Sequence, residues 1–409
     1  MTRATVTAVM PCLNEERTLG VCIEKAQACM RSLGIDGEIV VADNGSTDRS
    51  VEIAQRLGAR VVHESTKGYG AALMKGIEAA RGDIIVMADA DDSYDWQDMG
   101  AFIAKIEAGF DLVMGNRFKG GIAPGAMPPL HRYLGNPVLS TLARIVHRAP
   151  VGDFHCGMRA FTRRAYERMK LRTPGMEFAT EMVVNAVRTG LRIAEVPTKL
   201  RPDGRNRPAH LRSFRDGWRH LRFIFTYAPN YLYLAPGGLM MMLGLALVSV
   251  LARGPITVMG HYVGIHFLAL GCLLTLTGFN VVHLGVLAKV IASSQLPHLS
   301  SRIQRWALKE FTLEGGLIVG LVLIAGGTVV DSYILWKWLS SAGGAQEQTV
   351  HTAFVATLLI VLGLNIMFSS FLLSMFAADH RERLVGGSGD ESADTSLGTG
   401  ARSSRWRSA

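Results

Sequence analysis

Three stretches of this chain run for 30 residues or more without a charged side chain: Phe223 to Ala252 (30 residues), Gly254 to Ala288 (35) and Thr349 to Ala378 (30). A fourth, Gly315 to Val330, spans 16 residues and extends to Trp336 if Asp331 is tolerated. An α-helix crosses the hydrocarbon core of a bilayer in about 20 residues, so four crossings are predicted. A buried core helix is the alternative for any one run, but runs this long exceed an ordinary core helix. Asp331 is expected near a helix end, close to the headgroups. Residues 1–222 differ in kind, mixing polar and apolar positions as an α/β globule does. The mean hydropathy of +0.22 and the charged fraction of 19% therefore average two unlike halves, and they exclude disorder, collagen and a disulfide scaffold.

Orientation follows from the loops. Arg253 is the only basic residue between the first two runs, and 338–351 contains no Lys or Arg. Lys289, Arg302, Arg305 and Lys309 occupy the 289–312 loop, and Arg205, Arg207, Arg212, Arg215, Arg219 and Arg222 precede the first run. The positive-inside rule places the N-terminal domain, the 289–312 loop and the C-terminal tail in the cytoplasm, on a multi-pass protein of the inner (cytoplasmic) membrane. No cleaved leader is expected, since strand-like residues begin at Ala4. The five cysteines lack metal-ligand spacing and are expected as free thiols. The expected division is a catalytic domain at 1–209, a juxtamembrane amphipathic helix at 210–228, a transmembrane domain at 229–378 and a disordered tail at 379–409. Leu211, Phe214, Trp218, Leu221 and Phe225 recur at helical spacing with arginines on the other face, which predicts an interfacial helix. A helix packed on the sheet is the alternative.

Strand-like runs at Ala4–Met10, Glu38–Ala42, Arg60–His63, Asp83–Ala88 and Asp111–Met114 alternate with helical patterns near 16–32, 48–57, 68–80 and 95–108. That alternation predicts a doubly wound, mostly parallel α/β sheet, followed by an all-α membrane domain. Ligands of such sheets bind beyond the carboxyl ends of the strands, so loops 11–16, 43–48, 64–70 and 89–95 are the ones to examine. The first loop is P-C-L-N-E-E rather than G-x-G-x-x-G, which argues against a dinucleotide enzyme; Gly68 and Gly70 at the third loop are an incomplete glycine pattern. The 89–95 loop is more informative. Asp89, Asp91, Asp92 and Asp95 crowd into D-A-D-D-S-Y-D after an apolar strand. Asp89 and Asp91, two apart at a strand end, point the same way and can share one ion. Oxygen donors in small number suit Mg2+ or Mn2+, which keep positions for water and substrate phosphates. Asp95 doubles as a helix N-cap candidate.

These loops together resemble the family-two glycosyltransferases of the GT-A fold, specifically the polyprenyl-phosphate glycosyltransferases similar to dolichol-phosphate mannose and glucose synthases. The matching pieces are P-C-L-N-E-E at 11–16, A-D-N-G-S-T-D at 42–48, K-G-Y-G-A-A-L at 67–73, D-A-D at 89–91, G-N-R-F at 115–118 and D-F-H-C-G-M-R at 153–159. The resemblance implies that Pro11, Asn14, Glu15 and Asp43 line the nucleoside, with Asn14 and Glu15 also able to serve as helix cap and first-turn acid. It places Lys67 and Gly68 near the donor, and Asp89 and Asp91 on the metal of the nucleotide diphosphate. Where relatives carry a glutamine this chain has Ser93, which leaves Asp92 or Asp95 as replacement ligands. Arg117 and Arg132 match positions that hold the acceptor phosphate, for which a guanidinium fork is well shaped. Asp153 matches a catalytic aspartate and Arg159 closes its motif. Glu177 and Glu181, four apart, are left between an acceptor-site role and structural ion pairs.

The implied chemistry is a single inverting displacement on a nucleotide-sugar, UDP-glucose-like or GDP-mannose-like, by a polyprenyl phosphate. A phosphate monoester is largely ionised at neutral pH, so Asp153 is expected chiefly to orient basic partners, with base catalysis secondary. Arg201, Arg205 and Arg207 form a basic loop expected to close over the lipid phosphate. A processive polysaccharide synthase is the nearest rival, but R-I-Q-R-W at 302–306 lacks the Q-x-x-R-W spacing. A lipid-linked sugar transporter or a nucleotide-sensing scaffold is the alternative of another class, and spans nearly free of charge make a poor ion-coupled carrier. Nucleic acid is not an expected partner, because the +9 net charge is juxtamembrane; self-association into a homo-oligomer is left open.

Overall fold

The computed structural model describes residues 5–204, 213–295, 313–340 and 349–386. It divides the chain into two compact units, Met1–Ala228 and Pro229–Ala409.

The first unit alternates β1 (Val6–Cys12), α1 (Leu19–Leu33), β2 (Gly37–Asp43), α2 (Ser50–Arg56), β3 (Arg60–His63), α3 (Tyr69–Ala79), β4 (Ile84–Met87), α4 (Met99–Glu107) and β5 (Leu112–Asn116). There follow the single turn α5 (Arg117–Gly120), then α6 (Asn136–His147), β6 (Arg159–Thr162), α7 (Arg163–Met169), α8 (Phe178–Arg188), β7 (Ile193–Pro197) and α9 (Ser213–Thr226). The strands form one sheet in the order β3-β2-β1-β4-β6-β5-β7. All neighbours pair parallel except β6, which runs antiparallel to both β4 and β5.

The alternation arises because the central strands are buried on both faces, so they are apolar throughout rather than every second residue. Along β1, Val6, Ala8, Met10 and Cys12 join the core under α1 and α4, while Val9 joins the opposite core with Leu73, Ile77 and Phe178. The five predicted strands are present, β3 with the expected bounds and the other four with shifted ends; β1 begins two residues later than expected and reaches Cys12. Strands β6 and β7 were not anticipated. β6 is inserted between β4 and β5 by a long excursion of the chain, a pairing that no local pattern announces. Its consequence is direct: Arg159 pairs across the sheet with Met87 and Met114, which brings the 153–158 segment beside the end of β4.

The order of strands reverses between β1 and β4. The chain steps outward from β1 to β2 and β3, then returns to the other side of β1. Beyond the carboxyl ends of β1, β2 and β4 lies the crevice where such sheets bind ligands.

In the second unit, a π-turn (Asn230–Leu234) leads into α10 (Ala235–Leu251), a hairpin of β8 (Ile256–Val258) and β9 (His261–Val263), then α11 (Ile265–Gln295), α12 (Leu313–Ser340) and α13 (Val350–Gly386). Four spans, Asn230–Leu251, Ile265–Ile291, Leu313–Ser340 and Val350–Phe376, are long and apolar enough to cross a membrane. Three details differ from expectation. The uncharged run from Gly254 is not helical throughout, because its first residues form the hairpin. The third helix continues through Asp331 to Ser340. The tail expected to be disordered from 379 begins instead as further helix to Gly386; its remainder lies outside the described residues.

Glycine spacing explains how these helices pair. Gly237 and Gly244 on α10 abut Gly278 and Gly271 on α11: a Cβ on Gly237 would lie 3.0 Å from the Gly278 carbonyl oxygen, and one on Gly244 only 2.6 Å from that of Gly271. Gly320 and Gly363 of α12 and α13 stand in the same relation, at 2.7 Å and 2.6 Å from one another's carbonyl oxygens. In lipid, where apolar burial drives little association, such close backbone approach supplies the packing. Replacing Gly320 by leucine is expected to lower the thermal stability of the detergent-solubilised protein by about 1–3 kcal/mol through overpacking. Gly326→Leu, where a side chain would meet nothing within 4 Å, should leave the melting midpoint unchanged.

Candidate active site

The acidic turn after β4 resolves into two pairs. Asp92 meets Lys25 Nζ at 2.6 Å, and Asp95 meets an Arg201 guanidinium nitrogen at 2.8 Å while its carboxylate also accepts from the Gln97 amide at 3.1 Å. These two are balanced by basic side chains, and Asp95 caps the turn as expected. Asp89 and Asp91 are held differently. Asp89 accepts the Tyr69 hydroxyl at 2.9 Å, and the buried Asp91 accepts the Ser93 hydroxyl at 2.6 Å and the Ser93 amide at 3.0 Å. These hydroxyl and amide donors hold the two carboxylates in place. Removal from water and the adjacent Asp89 carboxylate raise the Tyr69 pKa, so it stays a donor.

Asp92 and Asp95, the two positions offered as replacements for the missing glutamine, are thus ion-paired with Lys25 and Arg201. Among the described residues no group of three or more His, Cys, Asp or Glu side chains converges to hold a metal. The donors present fit an ion that takes two carboxylate oxygens and leaves its other positions to water and phosphate, as Mg2+ and Mn2+ do.

Arg201 is held along the same turn. Its amide donates to the Ser93 carbonyl at 2.9 Å, and the Gly204 amide donates to that of Asp91 at 3.0 Å. With the Asp95 ion pair, these bonds strap 201–204 along the acidic turn. Arg205 and Arg207 lie outside the described residues.

Loops 11–16 and 43–48 are knitted together at the ends of β1 and β2. Asn14, in the left-handed region at φ 58°, accepts from the Thr47 amide at 2.7 Å, and its own amide donates to Ser46 at 2.9 Å. It does not cap α1, which starts after Thr18. Glu15 is buried, its amide bonded to the Ser50 hydroxyl at 2.8 Å. Asp43 accepts the Ser46 and Gly45 amides and lies 3.1 Å from His63 Nδ1. Burial opposes its ionisation, but these donors outweigh burial and hold its pKa below the usual carboxylate range. Pro11 sits in register with Ala42 at the mouth of the crevice.

Asn44, not singled out in the sequence, organises the third loop. Its amide donates to the Glu64 and Thr66 carbonyls at 2.9 and 2.8 Å, and its oxygen accepts the Gly68 amide at 2.8 Å. The exposed Lys67 Nζ reaches 3.4 Å from the Asn44 carbonyl. Gly68 and Gly70 have a steric reason: a Cβ at Gly68 would collide with the Pro174 carbonyl, and one at Gly70 with that of Thr173. The incomplete glycine pattern thus reflects the close passage of segment 173–175. Glu181 holds that segment through the Arg172 and Thr173 amides and the Thr173 hydroxyl, so it pairs with backbone donors instead of arginines. Glu177 has one buried carboxylate oxygen with no hydrogen-bond partner.

Arg117, at the end of β5, is buried and forms a two-point pair with the fully buried Asp153: Nε to one oxygen at 2.7 Å, a terminal nitrogen to the other at 2.8 Å. The Arg117 and His155 amides donate to the same carboxylate at 3.1 and 3.2 Å. Every Asp153 oxygen is therefore engaged and shut from solvent, a poor arrangement for a proton acceptor and a firm one for orienting Arg117. Arg159, grouped with the catalytic residues from its motif, is fully buried and donates to the main-chain carbonyls of Cys156, Phe154 and Ala179 at 2.7–2.9 Å. It ties the 154–156 loop to the start of α8. Arg132 lies on the π-turn before α6, its guanidinium 5.5 Å from the Tyr133 ring centre. All five cysteines are free and buried, and burial pushes the Cys22 and Cys156 thiols up to about 12.

Residues 7–170 match the glycosyl transferase family 2 profile, and 286–377 match the glycosyltransferase family 2 C-terminal transmembrane region. A low-salt glycan biosynthesis hexosyltransferase of Haloferax volcanii, Agl6, is 40% identical over 370 residues, covering 90% of this chain and 88% of its own. The chain belongs to glycosyl transferase family 2. It is a glycosyltransferase and a multi-pass membrane protein. Its family 2 domain is also 33% identical to a dolichyl-phosphate hexose transferase of the same organism, over 47% of this chain and 81% of that one. Among solved structures, glucosyl-3-phosphoglycerate synthase of Mycobacterium tuberculosis with Mn2+, UDP and glucosyl-3-phosphoglycerate is 25% identical with a TM-score of 0.42, covering 55% of this chain and 78% of that one.

The Arg117–Asp153 pair can be tested by a double-mutant cycle. Arg117→Met strands a buried carboxylate and should destabilise the protein by about 3–5 kcal/mol. Adding Asp153→Leu removes the stranded charge, so the double variant should melt above Arg117→Met; strict additivity in thermal denaturation would refute the coupling.

Proposed function

We propose that this family 2 enzyme transfers a hexose from a nucleoside-diphosphate sugar to a polyprenyl phosphate, with inversion, at the cytoplasmic face of the membrane. The observation that carries the reading is the position of Asp89 and Asp91 just after β4, at the carboxyl end of the sheet, where the Tyr69 and Ser93 hydroxyls hold their carboxylates. Such a pair attracts a divalent cation, and the crevice where it sits is where this sheet binds ligands. A hexosyltransferase and a dolichyl-phosphate hexose transferase among the relatives support the donor and acceptor classes.

The roles follow from placement. Pro11, Asn14, Glu15 and Asp43 would line the nucleoside, with Asp43 ionised and able to accept a ribose hydroxyl. Lys67 and the Gly68 turn would lie toward the diphosphate. Asp89 and Asp91 would hold Mg2+ or Mn2+, which when bound offsets charge on the departing nucleotide diphosphate. Arg117, held cationic and in one orientation by Asp153, would receive the acceptor phosphate, with Arg132 assisting from the π-turn. The phosphate oxygen attacks the anomeric carbon as the bond to the diphosphate breaks. Being already ionised, it needs no base, in keeping with the enclosure of Asp153. Inversion converts an α-linked donor to a β-linked lipid phosphate sugar.

Membranes carrying the protein, incubated with Mg2+, undecaprenyl phosphate and labelled UDP-glucose or GDP-mannose, should yield one product that extracts into organic solvent, and EDTA should abolish it. Label incorporated into water-soluble polymer, or transfer indifferent to added lipid phosphate, would overturn the reading.

A further inference from the structure

The uncharged run that opens at Gly254 outlasts its helix: α11 starts at Ile265, and the hairpin of β8 and β9 occupies the residues before it. Both faces of that hairpin are open. Ile256, Val258 and His261 are exposed along one face, and Thr257 and Tyr262 along the other, with Val258 at 48% and Tyr262 at 68%. Its base is packed, since Val263 rests on a cluster of Val248, Leu251 and Leu268 at the adjoining ends of α10 and α11. No acidic residue falls between 252 and 264, and Arg253 is the one Lys or Arg. Met259 and Gly260 make the turn, at φ 50° and 79°. A two-residue loop with both residues left-handed favours Asn, Asp or Gly, which take that conformation at least cost. Here its first position carries a methionine that is 95% exposed. A bulky apolar side chain held in a strained conformation and turned away from the protein has a physical reason where its surroundings are apolar too.

Connectivity names those surroundings. Residues 252–255 link α10 to β8, and Gly264 alone links β9 to α11; the spans on either side, Asn230–Leu251 and Ile265–Ile291, are of membrane length. Strands of three residues reach about 10 Å, so the tip cannot stand far beyond the headgroup layer. The Tyr262 ring is folded back over Gly264, where a Cβ would collide with it, and so lies beside the start of α11. Depth is limited in the other direction as well. The two strands form a sheet of their own, each with one unpaired edge, and such edges are not tolerated in hydrocarbon. We infer that the hairpin lies in the headgroup layer of the leaflet reached after the first crossing, with Val258, Met259 and Tyr262 against the upper acyl chains and the strand edges bonded to water and headgroups. Tyrosine is enriched at that level, where its ring meets lipid and its hydroxyl meets water. Because Gly244 and Gly271 bring α10 and α11 into close contact, a hairpin seated there sets the depth of both helices.

Because the native cysteines are buried, single spin labels can be directed to Val258→Cys and Met259→Cys in the full chain. Val21→Cys on α1, an exposed position, gives the water-facing reference, and Met242→Cys, exposed near the middle of the first span, gives the hydrocarbon one. In nanodiscs of phosphatidylglycerol and phosphatidylethanolamine, collisions with oxygen relative to a water-soluble nickel chelate should be several-fold higher at both hairpin labels than at Val21, and lower than at Met242. A ratio equal to that of Val21 would put the hairpin in water and overturn the inference, and one equal to that of Met242 would bury the open strand edges and overturn it too. So would shielding from both quenchers with dipolar broadening between protomers, which would make the occupant a second copy of the chain. Met259→Asn separates turn chemistry from lipid contact. Asparagine suits the turn better and the acyl chains worse, so it should raise chelate access at the Val258 label by about twofold or more. Unchanged or lowered access in that variant would contradict the placement.

Discussion

Like charges set close together at the end of a buried strand repel by about 4 kcal/mol per pair at 4 Å in a protein-like dielectric. Asp89, Asp91, Asp92 and Asp95 impose that problem on the catalytic unit, and three elements converge to answer it. Helix α1 contributes Lys25, the segment after β7 contributes Arg201, and α3 contributes Tyr69. They meet because β1 and β4 are neighbours although β2 and β3 intervene in the chain. Lys25 and Arg201 meet Asp92 and Asp95 with opposite charge, and the Tyr69 and Ser93 hydroxyls hold Asp89 and Asp91 at the switch point.

A buried ion pair, Arg117 with Asp153, stands in the same unit. A guanidinium as buried as Arg117 would be heavily penalised alone, and Asp153 offsets that penalty at the expense of its own availability as a base. Arg159 secures the same loop by a different route, donating to the Phe154, Cys156 and Ala179 carbonyls. Two arginines of neighbouring motifs thus do unlike work, one held by a carboxylate beside the crevice and the other consumed by the backbone.

Much of this was legible beforehand. Long uncharged runs and the strand-helix alternation depend on local periodicity, and the acidic turn stood out by composition. What escaped depends on contacts between distant segments. Nothing around Arg159–Thr162 signals a strand that runs antiparallel between two others, and Asn44 resembles any turn asparagine until the Glu64–Gly68 loop is seen to hang from it. Gly68 and Gly70 suggested a phosphate loop, yet the passing Pro174 and Thr173 carbonyls account for them. Arg159 was assigned from its motif and Arg201 from a basic loop, and neither shows which partner a guanidinium meets in the fold. In the membrane unit, glycines seven residues apart on paired helices were visible in the sequence, but only the pairing gave them a meaning.

The unequal treatment of four neighbouring acids makes the sharpest claim. Calorimetric titration of UDP or GDP onto the detergent-solubilised protein, with and without Mn2+, should show metal-dependent affinity in the native protein. That affinity should fall by about tenfold or more, roughly 1.4 kcal/mol, in Asp89→Asn and in Asp91→Asn, and hold within about twofold in Asp92→Asn. Equal losses at all three positions, or nucleotide affinity indifferent to Mn2+, would contradict the account.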